Sequence, residues 1–166
     1  RQKLKALGYS FHTDSDTEVL LALWGHFGIE GLPRLAGMFA FVVYDREDES
    51  LTLVRDAFGI KPLFYQQETS GLRFASEIPS LLKLLDNSPE LNYQRAYDYL
   101  ISGNYDNSAD TFFNGIRHLP PGHFLKLDMK NFCVGDVQRW WWPSIQERID
   151  LSFDDAAEQL REMFLS

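Results

Sequence analysis

Three things are scarce in this chain: cysteine, basic charge and long apolar runs. Cys133 is the single cysteine in 166 residues, so no disulfide can close within the chain. One thiol fits a reducing compartment. The formal net charge is −8, and an acidic surface repels phosphate backbones, so nucleic acid is not an expected partner. No apolar stretch approaches the roughly 20 residues that a membrane span needs. The basic start Arg1-Gln2-Lys3-Leu4-Lys5 has no apolar run behind it, so neither a secretory signal nor a membrane anchor is expected. A cytoplasmic location is the resulting expectation. Histidine is sparse as well. His12, His26, His118 and His123 show no metal-ligand spacing, and no metal site is expected.

What the chain does have is apolar and aromatic bulk. Apolar residues make up 45 %, with 13 Phe, 7 Tyr and 4 Trp, enough for a packed core and against disorder. Leu4 and Leu7 have helical spacing, and Gly8 suits a helix stop. Gly8 to Thr13 reads as a short strand. Ser15-Asp16-Thr17-Glu18 is a capping box that opens an amphipathic helix, with Leu23 and Trp24 on its inward face and Gly28 closing it.

The run from Gly37 to Tyr44 is nearly all apolar and predicts a strand covered on both faces. A polar loop over 45–50 leads to a return strand, Leu51 to Arg55. Further strands are predicted at Leu63 to Tyr65 and, after a turn from Glu68 to Gly71, at Leu72 to Ala75. Spacing this close requires antiparallel pairing. Helices are predicted from Glu77 to Leu85 and from Tyr93 to Ile101, the latter capped by Asn92. Gly103 to Asp110 is polar and loop-like. Two more strands are expected near Phe124–Leu127 and Val137–Trp141. The pattern is that of an α+β layered domain. A second capping box, Ser152 to Asp155, opens a last helix whose Ala156, Leu160, Met163 and Phe164 share one face. Both ends of the chain therefore run through helical pattern, as expected of a segment of a longer polypeptide.

Six stretches in order carry a specific resemblance. They are Ser15-Asp16-Thr17-Glu18-Val19-Leu20, Gly37-Met38-Phe39-Ala40-Phe41, the run Arg55-Asp56-Ala57-Phe58-Gly59-Ile60-Lys61-Pro62-Leu63-Phe64-Tyr65, Phe74-Ala75-Ser76-Glu77-Ile78, Gly115 to His123, and the aromatic stretch Trp140 to Pro143. Together they resemble the glutaminase domain of glutamine-hydrolysing asparagine synthetases, a class II glutamine amidotransferase domain.

The resemblance implies an N-terminal-nucleophile hydrolase fold: a four-layer αββα sandwich of antiparallel sheets, here without its first segment. It implies a division into residues 1–143, the amidotransferase domain, and 144–166, a linker with the first helix of a C-terminal synthetase domain. The family's nucleophile is an N-terminal cysteine whose own amino group can act as base. Residue 1 here is Arg, so no catalytic residue carries over, and the fragment alone is expected to be inactive. Cys133 reads as a small, partly buried hydrophobe in a peripheral strand-turn region.

One ligand residue does carry over. Asp16 matches the family's aspartate for the glutamine α-amino group, although by residue type alone it is a favourable first-turn anion. Asp14 stands where relatives often have a small residue, and could crowd the pocket. Arg55 and Asp56 are expected to fix a turn, with Gly59 supplying unusual backbone angles. Ser76 and Glu77 are expected near an interdomain face. The implied partners are glutamine and the polypeptide's own synthetase domain, and the resemblance admits a homodimer. No cofactor is expected in this segment; ATP and Mg belong to the synthetase part. The alternative is a non-catalytic amidotransferase-like scaffold in a synthetase-like or stand-alone protein.

Overall fold

A computed structural model of the chain describes residues 1–69, 71–105, 107–147 and 150–165. Ser70 of the expected 68–71 turn, Asp106 of the polar stretch, Arg148 and Ile149 of the linker, and Ser166 lie outside the described residues. Two antiparallel sheets form. In the first, β1 (Ala40–Asp45), β2 (Ser50–Arg55), β6 (His123–Asp128) and β7 (Cys133–Val134) are neighbours in that order, and the short β8 (Gln138–Arg139) also pairs with β6. In the second the order is β4 (Gly71–Ala75), β3 (Phe64–Glu68), β5 (Ile116–His118).

Side-chain alternation sorts these strands into layers. Because successive residues of a strand point to opposite faces, each cross-strand row belongs to one face. Val42, Leu53 and Leu125 are aligned across β1, β2 and β6. All three belong to the core shared with Leu63, Tyr65 and Phe74, which come from the second sheet and the segment entering it. The next row, Phe41, Val54 and Phe124, faces the other way. It packs on Trp24 of α2 (Asp16–Phe27) and on Ile29 and Leu32 of the 3-10 helix Gly28–Arg34. In the second sheet, Phe64 and Ile116 turn away from the shared core, onto Ile78, Leu81 and Leu82 of α3 (Ile78–Leu82). The result is helices, sheet, sheet, helices: the αββα order implied above, with a separate apolar layer at each junction.

Local signals explain most boundaries. Asn92 Oδ1 accepts from the Arg95 amide at 3.1 Å and caps α4 (Tyr93–Ser102), and Gly103 ends it in the left-handed region at φ 68°. Ser152 Oγ accepts from the Asp155 amide at 3.1 Å at the start of α5 (Phe153–Leu165). The expected helix at the N-terminus is α1 (Gln2–Ala6).

Four expectations need correction. Gly8 to Thr13 is not a strand, because its amides are used differently: Glu18 accepts from the His12 and Thr13 amides at 2.7 and 2.9 Å. That also breaks the expected capping box, since Ser15 Oγ accepts from Thr17 and Glu18 reaches past Ser15. The 37–44 strand starts only at Ala40 and is the end strand of its sheet, and with Tyr44 exposed the cover on both faces does not extend along its whole length. The 77–85 helix is a single turn and a half over Ile78–Leu82.

Leu53 is fully buried between the sheets. Replacing it with Ala is expected to cost about 2–5 kcal/mol through lost transfer energy and cavity formation, read as a lower urea midpoint with unchanged m-value.

Candidate functional site

The chain leaves the first sheet at Arg55 and enters the second at Phe64. The crossing would strand several backbone groups in the interior, and buried polar groups need partners. Two adjacent charged side chains supply them. Asp56 is 1 % exposed. Its Oδ1 accepts from the Phe58 and Ile60 amides, and its Oδ2 from the Phe39 and Lys61 amides, all at 3.0–3.2 Å. Burial by itself would push this carboxyl up, but the four amides, Lys61 and Ile60 foremost, outweigh it and hold Asp56 below the usual aspartate value. Arg55 does the converse. Its guanidinium donates to the carbonyls of Lys61, Leu119 and Gly59 at 2.9, 2.7 and 2.6 Å. The expectation that these two residues fix a turn is met, and Gly59 sits at φ 66°.

This fixed loop forms one wall of a cleft of about 1610 Å³. The other walls are α1, the inward face of α2, the 3-10 helix and the segment leading into β1. Its lining is apolar apart from a few polar groups, a common composition for a small-molecule site. Four cations line it, Arg1, Lys3, Arg34 and Lys61, against one carboxylate, Asp16. In a chain of net charge −8 the cleft is thus locally cationic. Asp16 is the first residue of α2, exposed, and its side chain makes no hydrogen bond or ion pair among the described residues. Ser76 also lines the cleft, while Glu77 precedes α3 without a side-chain cap bond.

Asp14 does not line the cleft. Its side chain is turned to solvent, 3.7 Å from the Arg1 guanidinium. Arg1 also donates to the Thr13 and Ser15 carbonyls at 2.6 and 3.1 Å, which ties α1 to the start of α2. Glu18 is held down to about 2 by the His12 amide first, then by Thr13. Its bonds anchor the turn that presents Asp16.

Cys133 lies elsewhere. It is exposed rather than partly buried, sits on β7, and lines a separate cavity of about 820 Å³ with Tyr65 and Arg117. None of the four histidines lines the cleft. His26 Nδ1 is paired with the Tyr9 hydroxyl at 3.2 Å, His123 Nδ1 with the Pro121 carbonyl at 2.7 Å, and His118 with the Ser108 carbonyl. Among the described residues, no cluster of three or more His, Cys, Asp and Glu is placed to hold a metal ion. No helix there is long and apolar enough to cross a membrane. Sequence reasoning missed the cationic lining, because its members come from three separate segments of the chain.

Comparison with known proteins gives the class. The family described as glutamine amidotransferase domain matches residues 1–141. The chain belongs to that family. Asparagine synthetase [glutamine-hydrolyzing] 1 of Bacillus subtilis (strain 168) is 39 % identical over 122 residues, 74 % of this chain and 19 % of that protein. Asparagine synthetase [glutamine-hydrolyzing] 3 of the same organism is 31 % identical over 164 residues, 99 % of this chain and 26 % of that protein. Amidase chry2 of Gibberella zeae is 36 % identical over 117 residues, 70 % of this chain and 17 % of that protein. The chain thus spans a fifth to a quarter of the length of the synthetases it matches. The solved structure of the glutamine phosphoribosylpyrophosphate amidotransferase of B. subtilis superposes with a TM-score of 0.53 at 23 % identity, over 86 % of this chain and 26 % of that one. This likeness bears on the fold, which is of the N-terminal-nucleophile hydrolase type.

Asp56→Asn puts an amide where four N–H groups converge and is expected to cost about 3 kcal/mol. A lowered folded-state value means the carboxylate stabilises the fold above the ordinary aspartate range, and that this contribution is lost as pH falls through it. The variant's urea midpoint should therefore decline less than the parent's between about pH 5 and pH 2. Gly59→Ala would place a Cβ 2.7 Å from Pro121 Cγ and 3.0 Å from Arg55 Cζ at a positive φ. A loss of about 2–4 kcal/mol in the same titration is expected.

Proposed function

We propose that this domain is the glutamine-handling part of a glutamine-hydrolysing asparagine synthetase, with Asp16 as the residue that holds the glutamine α-ammonium. The observation that carries the reading is the charge arrangement of the cleft: one carboxylate, without a side-chain partner among the described residues, and four cations. A free amino acid needs an anion for its ammonium and a cationic field for its carboxylate, and charge-assisted contacts are the strong ones. The family and the asparagine synthetase relatives supply the chemistry.

Residues 1–166 do not supply the nucleophile, since Cys133 lines the other cavity. In the full polypeptide an N-terminal cysteine from a preceding segment would attack the side-chain amide carbon. Its own amino group would take the thiol proton and pass it to the departing ammonia. Water then hydrolyses the thioester to glutamate. Ammonia would go on to aspartate activated with ATP and Mg in a C-terminal synthetase domain, whose first helix is α5. Residues 1–143 form the amidotransferase part in this reading, and 144–166 the connection. The position of Cys133 equally suits a domain that keeps the fold without hydrolysis, and activity separates the two.

In the full-length polypeptide, Asp16→Asn should lower glutamine-dependent kcat/KM about 100-fold, mostly through KM, because losing a charged partner costs about 2–3 kcal/mol. Ammonia-dependent asparagine synthesis should be unchanged. An unaltered glutamine KM would remove Asp16 from the site. No glutamine hydrolysis by the unmodified full-length polypeptide would favour the scaffold.

A further inference from the structure

Helix α4 is amphipathic the wrong way round. Tyr93, Tyr97, Leu100 and Ile101 recur at the spacing of one helical face, and that face looks outward, at 78, 61, 81 and 72 % exposure. The inward side carries a charge instead. Arg95 is 5 % exposed, donates to Asn107 Oδ1 and to the Tyr105 carbonyl at 2.7 Å each, and lies 3.8 Å from Asp98. Tyr99 packs edge-on against Phe112. With both ends capped, rotating the helix to hide its apolar face would break every one of these bonds. The outward orientation is therefore built in, and an exposed apolar stripe of this kind marks an interaction surface.

We propose that the outward face of α4 is the seat of the remainder of the full-length polypeptide, packed against it as an apolar interface. The inference rests on the reading of this chain as one domain of a longer synthetase. The B. subtilis synthetases align with 74–99 % of this chain using only 19–26 % of their own length, so most of such a polypeptide lies outside the domain. The chain beyond the family match at residue 141 behaves the same way: Leu160, Met163 and Phe164 of α5 are 58, 69 and 87 % exposed, and no residue of that helix is buried. Charge decides against a membrane. The stripe carries no charged residue, and the only cation of α4, Arg95, is buried. An anionic membrane surface would be met by exposed Lys and Arg.

The test is hydroxyl-radical footprinting of the full-length polypeptide, with Tyr44 as internal reference; Tyr44 is 53 % exposed on the outer end of the first sheet. In the monomer, Tyr93 and Tyr97 should label roughly tenfold more slowly than Tyr44, as core positions of an interface do. Leu100→Glu should restore labelling of Tyr93 and Tyr97 towards that of Tyr44. It should leave glutamine hydrolysis within about twofold, because α4 does not line the cleft. Labelling of Tyr93 and Tyr97 as fast as Tyr44 in a polypeptide that hydrolyses glutamine overturns the interface and leaves the function intact. Protection without hydrolysis does the reverse. Protection that appears only with a sedimenting dimer, or only with anionic vesicles, assigns the face to a second copy or a membrane and also overturns the proposal.

Discussion

The junction at Arg55 and Asp56 is the constraint on which the rest of the structure depends. A two-sheet sandwich must carry its chain from one sheet to the other, and the backbone at such a crossing loses its ladder partners. Here a carboxylate gathers the amides of residues 39, 58, 60 and 61, and a guanidinium gathers the carbonyls of 59, 61 and 119. The backbone of the same pair extends the tie. Asp56 N donates to the Phe39 carbonyl, Gly122 N donates to the Asp56 carbonyl, and Trp140 Nε1 donates to the Arg55 carbonyl. One point in the chain thus fixes the entries to β1, β3 and β6, the exit from β5 and the aromatic segment past β8. Two buried charges cost much in desolvation, and become favourable only when every lone pair and proton is used. That condition explains why the loop between them is so tightly prescribed.

The cleft inherits its shape from this junction. The Lys61 peptide is held on both sides, its amide by Asp56 and its carbonyl by Arg55, and Lys61 and Pro62 form cleft wall. On the opposite wall, Gly31 lies so close to Leu23 and Phe27 that an added Cβ would stand 2.6 Å from Leu23 Cδ2. The 3-10 helix is thereby pressed onto the C-terminal half of α2, the helix that carries Asp16 at its start. Cleft geometry follows from close packing on one side and saturated hydrogen bonding on the other.

Much of the fold was legible in the sequence because turn residues set off short apolar runs. Strands expected at 51–55, 63–65, 72–75 and near 124–127 correspond to β2, β3, β4 and β6, and Asn92 and Gly103 bracket α4 as their residue types predict. The failures have physical causes. β5 and β7 are three and two residues long, too short for a period to register, and exist because neighbours hold them. Tyr9 and Phe11 mimic a strand, yet Glu18 takes the amides that a partner strand would need. At Ser15 the local capping signal was right about the helix start and wrong about the bond, because a carboxylate two residues inside the helix found better donors outside it. The 138–139 pairing covers only part of the expected Val137–Trp141 strand, since Trp140 and Trp141 turn both of their amides to the Gly122 carbonyl.

The candidate site was legible to a different degree, and two aspartates show why. Asp16 and Asp56 are the same residue type, each beside an element boundary, and each sits in a stretch that resembles the same family. In Asp56 every acceptor site is spent on the protein's own backbone, so the charge is structural and has nothing left to offer a ligand. Among the described residues the Asp16 side chain makes no hydrogen bond or ion pair, and it lines a cleft with a surplus of cations. Residue type cannot separate these cases, because the difference lies in what surrounds each carboxylate. For Asp56 those surroundings are mostly local: three of its four donors lie within five residues, and the turn signal of Gly59 and Pro62 announced them. For Asp16 they are assembled from distant segments, α1, the 3-10 helix and the loop before β3. Asp16 is exposed in the first turn of α2, where water and the helix dipole accommodate a carboxylate at no cost to stability, so its oxygens stay open to a ligand while those of Asp56 are spent.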